Sequence, residues 1–176
     1  TMDGFWLLNA DGNPLDVNDA YCQMSGYSRE ELLTMSVPQI DAEESEEDFK
    51  QHLKQVMKEG YTRFETRHSK KDGTIFDVDI SVTYVPFGKE GQCIVFLRDI
   101  TERKQIETLL AENEEKFRTI FEESPIGKEL FNSRGELIEV NTACLELFGV
   151  TEAEQIKGFN LFDDPNITEE QKEKLG

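Results

Sequence analysis

The chain repeats itself in register. Shifted by 123 positions without a gap, Gly4 falls on Gly127, Gly12 on Gly135, Val17 on Val140, Asn18 on Asn141, Ala20 on Ala143, Gly26 on Gly149 and Glu31 on Glu154. Ser28 meets Thr151, another helix-capping residue. Glycine and asparagine at fixed spacing mark backbone requirements. Gly12 and Gly135 read as tight turns, and Asn18 and Asn141 as N-caps where a strand gives way to a helix. The chain is therefore two copies of one supersecondary unit. The second copy stops early, since the partner of Gly60 would lie past Gly176. Its strands over 124–176 are expected to lack partners and to lean on a neighbour.

Local patterning in the first copy gives an order of elements. Residues 4–9 form a strand apolar on both faces, Asp11-Gly12-Asn13 a hairpin turn, and Leu15–Val17 the return strand. Asn18 caps a short helix stopped by Gly26, and Ser28 with Glu31 makes a capping box for another. A helix over 45–59 is capped by Ser45, stopped by Gly60 and striped by Phe49, Leu53, Val56 and Met57. Three strands follow. The second, 74–84, places Phe76, Val78, Ile80, Val82 and Tyr84 on one face, and the third, 92–98, is apolar on both. Strands apolar on both faces belong at the centre of a sheet. The outer face of that centre needs a cover, such as a flanking helix or a second subunit. The expected fold is α+β, in the order β-β-α-α-α-β-β-β, with a five-stranded antiparallel sheet and helices on one face.

This order, carried by Asp3-Gly4, Asp11-Gly12, Val17-Asn18-Asp19-Ala20, Ser25–Leu32, Lys71-Asp72-Gly73-Thr74 and Arg98-Asp99-Ile100-Thr101-Glu102-Arg103, resembles the PAS (sensory-box) family. The resemblance divides the chain into a PAS domain at 1–100, a linker helix at 101–123 and the first part of a second PAS domain at 124–176. It implies a sensory module that binds a ligand, cofactor or partner. A conformational change then passes to an output domain, such as that of a sensor histidine kinase or a diguanylate cyclase in a two-component or similar system. A ligand-free PAS interaction or dimerisation module is the alternative. No nucleophile–base pair, metal cluster or nucleotide-binding loop is visible in the sequence, so the chain itself is read as non-catalytic.

The linker is the expected transmitter. Asp99, Thr101 and Glu102 join the last central strand to the helix, with Asp99 as cap and Glu102 reaching back. Ile106, Leu110, Asn113, Phe117 and Ile120 recur at spacings of four and three, the seam of a parallel coiled-coil homodimer in which Asn113 fixes register. The same stripe also suits an amphipathic helix lying on its own sheet.

Tyr21, Met24, Phe49, Leu53, Phe64, Phe76 and Phe96 are expected to converge between helices and sheet. A filled core is the simpler reading, because aromatic stripes usually pack on one another; a small organic ligand is the other. Tyr61, Arg63 and Arg67 stand near the expected mouth. The flavin-binding members that this fold resembles need a reactive cysteine where this chain has Ser36-Val37-Pro38-Gln39-Ile40, which argues against flavin. His52 lies on the long helix but is flanked by Lys50, Gln51 and Lys54, which argues for a rim histidine rather than a haem ligand. His68, at a strand end beside Lys70 and Lys71, has no reading as a ligand, and no metal site is expected. The acidic run from Asp41 to Asp48 reads as a solvated helix start.

A formal net charge of −18 repels nucleic acid and anionic membranes. Three cysteines without metal-ligand spacing, and no apolar run long enough to span a bilayer, suit a cytoplasmic chain.

Overall fold

The computed structural model describes residues 3–86, 91–152, 158–164 and 168. The chain divides into two compact units, Thr1–Glu107 and Thr108–Gly176.

In the first unit, β1 (Gly4–Asn9) and β2 (Pro14–Val17) form a hairpin, followed by α1 (Asp19–Ser25), α2 (Arg29–Leu32), a 3-10 turn (Val37–Gln39) and α3 (Glu46–Glu59). Three strands complete it: β3 (Tyr61–Ser69), β4 (Ile75–Val85) and β5 (Gln92–Asp99). The sheet is antiparallel throughout, in the order β2-β1-β5-β4-β3. The two strands that the sequence marks as apolar on both faces, β1 and β5, are adjacent, with β5 in the middle.

Capping decides where the helices begin and end. Asn18 Oδ1 accepts from the backbone N–H of Tyr21 and of Phe5, while its Nδ2 donates to the Asp3 carbonyl. Gly26 ends α1 at φ 76°, a left-handed conformation that costs glycine nothing. Ser28 and Glu31 form the reciprocal capping box of α2. Ser45 caps α3 and Gly60 stops it.

The core lies between the inner sheet face and the helices. Trp6, Leu8 and Val17 meet Tyr21, Leu32, Leu53 and Val56 over Phe76, Val78, Ile80, Val82, Val95 and Leu97. The other face of the sheet carries Phe5 packed against Phe96, the rings tilted at 60° with centroids 5.7 Å apart. Ion pairs from Arg63 to Asp79 and from Arg98 to Asp3 lie beside them.

Helix α4 runs from Thr101 to Glu122. In the second unit, β6 (Glu129–Phe131) and β7 (Leu137–Val140) form a hairpin, followed by α5 (Thr142–Phe148) and a 3-10 turn at Leu161–Asp163. The repeat holds at the level of single hydrogen bonds. Asn141 Oδ1 accepts from Cys144 and Lys128 N–H, and its Nδ2 donates to the Ile126 carbonyl, the same three positions that Asn18 serves. The hairpin bulges at Leu130/Phe131 as β1 does at Leu7/Leu8. Gly4 and Gly127 are both hemmed in by the helix that follows their hairpin. A Cβ on Gly4 would stand 2.9 Å from the Tyr21 ring, and one on Gly127 3.1 Å from Cys144 Cα. Glu154, the partner of Glu31, lies outside the described residues.

Candidate ligand cavity and signal junction

Alternation along β3 turns Phe64, Thr66 and His68 inward, and α3 lays Phe49, His52, Leu53 and Val56 across them. Between them is a cavity of about 50 Å³, walled by Trp6, Leu8, Ile80, Val82, Val95 and Leu97 from the sheet. The core is thus not completely filled. The space is well below the several hundred Å³ typical of drug-sized ligands.

Its ionisable residues are few: Asp41 and His68 are buried, and Glu44 and His52 are half-buried. His68 is 1% exposed. Its Nδ1 is 2.8 Å from the Tyr21 hydroxyl, and its Nε2 is 3.8 Å from Asp41 Oδ2, beyond hydrogen-bond reach. Burial holds His68 far below the ordinary imidazole range, to about 4, although the Asp41 carboxylate pulls the other way. Burial also pushes the Tyr21 phenol up, so it stays protonated. Asp41 has other partners. Its Oδ1 accepts from the N–H of Glu43 and Glu44, and Thr66 Oγ1 donates to the carboxylate at 3.1 Å. Among the described residues, two buried side-chain nitrogens have no partner, Trp6 Nε1 and His68 Nε2. An unmet buried donor costs about 1–3 kcal/mol, so their presence together needs an account. At the α3 end, His52 packs on Phe64 and its Nδ1 bonds Glu44 Oε1 at 3.1 Å. Burial raises the Glu44 carboxyl, and the His52 hydrogen bond partly offsets that.

The junction with the linker is equally specific. Asp99 Oδ1 accepts from Thr101 N–H, and Thr101 Oγ1 accepts from Asp77 N–H of β4. Lys104 bridges Asp77 and Glu65, and Arg103 also pairs with Glu65, tying the first turn of α4 to β3 and β4. Glu102 points to solvent, and the bond capping Thr101 comes from Asp99 alone.

The expected pocket residues separate accordingly. Phe49, Leu53 and Phe64 line the cavity. Tyr21 and Phe76 are buried beside it and flank His68 edge-on, with ring centroids 6.1 and 5.9 Å from the imidazole. Met24 packs on the core half-buried. Phe96 is not a pocket residue: it is 49% exposed on the opposite face, because in a central strand only alternate residues point inward. Arg63 faces the same outer side, and Arg67 pairs with Glu43. The acidic run is not uniformly solvated, since Asp41 is buried and Glu44 half-buried. Trp6, Asp41 and His68 were missed as cavity groups. The hairpin turn at Lys71–Gly73 sets His68 opposite Phe76, an inward position, and that register was the available signal.

The PAS domain family matches residues 2–102, and a second PAS domain match covers residues 115–175. This chain belongs to the PAS domain family. It is similar to sporulation kinase E of Bacillus subtilis, 26% identical over 149 residues, covering 84% of this chain and 20% of that protein. It is 30% identical over 106 residues to the methyl sulfide methyltransferase-associated sensor of Methanosarcina acetivorans, covering 60% of this chain and 11% of that one. The chain thus spans a fifth or less of these relatives. Among solved structures it resembles the PAS domain of an HTR-like protein from Haloarcula marismortui, with a TM-score of 0.53 and 26% identity over 57% of this chain and 83% of that one.

Proposed function

We propose that this PAS chain is a sensory signal-transduction module in which the first unit senses and α4 relays. The observation that carries the reading is the junction. Strand β5 walls the cavity with Val95 and Leu97 and then enters α4 through Asp99 and Thr101, while Asp77 and Glu65 of the neighbouring strands grip the same helical turn. A change in cavity occupancy that shifts β5 relative to β4 must strain or release those bonds. The output is a domain of the parent protein, such as a histidine kinase, and the chain contributes no catalytic group of its own. The exposed seam of Ile106, Leu110, Asn113, Phe117 and Ile120 suits a parallel homodimer that carries the change onward. Reduced Cys22, Cys93 and Cys144 fit a cytoplasmic setting; no helix among the described residues is long and apolar enough to cross a membrane.

The test fills the cavity without a ligand. Val82→Phe mimics occupancy, and amide hydrogen exchange over 101–107 is expected to change. Val82→Phe combined with Thr101→Val and Lys104→Met is expected to lose most of that response. An α4 that exchanges identically with the cavity filled or empty would overturn the reading.

A second reading, protein interaction through the outer sheet face, is favoured by one observation: the Phe5–Phe96 pair lies on that face with Phe96 half exposed.

A further inference from the structure

The wall of the cavity between α3 and the sheet is hydrocarbon almost throughout. Leu8, Leu53, Val56, Ile80, Val82 and Val95 close it from both sides. The polar side chains that border it have their bonds elsewhere. Asp41 accepts from Glu43, Glu44 and Thr66, His68 Nδ1 pairs with the Tyr21 hydroxyl, and His52 Nδ1 pairs with Glu44. Trp6 Nε1 and His68 Nε2 are closed off from the space, so their unmet bonds are a cost of the surrounding packing and not contacts for a ligand.

Water is a poor occupant of such a wall, because a buried water needs roughly two to four polar partners. An apolar cavity stays dry and admits an apolar guest, as engineered cavities of about 150 Å³ admit benzene or xenon. This one is about 50 Å³, where one water takes roughly 10–15 Å³ by the same measure. It suits a guest smaller than benzene, of a few non-hydrogen atoms. Left empty, the space costs stability, because the side chains around it lack contacts on one side; a guest restores them. A charged or strongly polar guest would lose its water and gain no partner. We propose that the cavity binds a small neutral apolar molecule with no hydrogen-bonding group, of the light-hydrocarbon or inert-gas kind, held by dispersion against Leu53, Ile80, Val82 and Val95. The proposal rests on the sensory reading and names the ligand class for it. Val95 sets the guest against β5, the strand that leads into α4.

Xenon, propane and dimethyl ether are titrated under pressure into the methyl-labelled chain. Dimethyl ether matches propane in shape, with an oxygen in place of the central carbon. Propane is expected to shift the Leu53, Ile80, Val82 and Val95 methyl signals saturably, with intermolecular NOEs to them. The methyls of Leu147, which is 78% exposed, should not move. The Kd should lie at about 1–10 mM, since three non-hydrogen atoms make few contacts. Xenon should shift the same methyls. Propane should bind at least about tenfold more tightly than dimethyl ether, whose oxygen finds no donor. Val82→Phe should abolish the response to both gases, and the wild-type comparison needs no variant to fold. Equal or tighter binding of dimethyl ether would overturn the proposal, because the site would then supply a polar partner. Methyls that ignore both propane and xenon would overturn it too, leaving a packing void. The sensory reading fails separately, if filling the cavity with Val82→Phe leaves amide exchange over 101–107 unchanged.

Discussion

Asn18 secures three backbone groups at once, one in the strand that precedes it and one in the helix that follows, with the Asp3 carbonyl as the third. Asn18→Ala removes all three bonds and is expected to cost about 2–3 kcal/mol, the sum of a lost cap and two further hydrogen bonds. Asn18→Asp keeps the acceptor and loses only the donor, so urea denaturation should place it between wild type and Asn18→Ala. His68 makes a second prediction, in pH. Burial depresses its folded-state proton affinity to about 4, below the 6.5 of an exposed imidazole. As pH falls, the unfolded chain binds the proton first. The stability held by neutral His68 is therefore complete above about pH 6.5 and drains away towards pH 4, at up to about 1.4 kcal/mol per pH unit. His68→Gln should flatten that part of the curve relative to wild type, whatever the carboxylates contribute to both. Parallel curves for the two proteins between pH 6.5 and 4 would contradict the burial argument.

Elements were legible where local physics fixes them. The caps at Asn18, Ser28 and Ser45, and the glycine stops at Gly26 and Gly60, all lie where residue type and spacing put them. The sheet order was half legible: two-faced apolar strands implied a centre, and β1 and β5 occupy it. Side-chain direction within such a strand was not, because a strand apolar on both faces has no alternation to read, and Phe96 was assigned to the wrong side. Nor were the charged partners across strands. Glu65, Asp77, Arg103 and Lys104 are each ordinary in sequence and meet only because β3, β4 and α4 converge. At this junction Thr101, the first residue of α4, is the sensitive point. Thr101→Val leaves the half-buried Asp77 N–H without its acceptor and is expected to cost about 1 kcal/mol. Exchange at the Asp77 amide should accelerate while amides in the middle of β4 stay protected. An unchanged Asp77 amide would show that the bond does not hold the helix to the sheet.

At the scale of the whole molecule, charge and the proposed α4 seam oppose each other. Ile106, Leu109, Leu110, Phe117 and Ile120 stand exposed along one helix, and i,i+4 pairs such as Glu112–Lys116 and Glu114–Arg118 satisfy part of its charge internally. Those pairs add only a few tenths of a kcal/mol each and do not explain an apolar stripe. A seam of this kind gains by pairing, yet each chain brings a formal charge of −18 to the encounter. Repulsion between like-charged chains reaches about 30 Å at 0.01 M salt and about 10 Å at 0.1 M. Association through the seam should therefore tighten as salt rises from about 0.02 to 0.3 M, the reverse of an interface held by ion pairs. Sedimentation equilibrium across that range reads it directly. Leu110→Glu places a charge in the seam and should give monomer at every salt concentration. Asn113→Leu should strengthen association while relaxing register, as removal of a polar seam residue does in coiled coils. A dimer that loosens with salt, or one indifferent to Leu110→Glu, would move the interface away from α4 and towards the outer face of the sheet, where Phe5 and Phe96 lie.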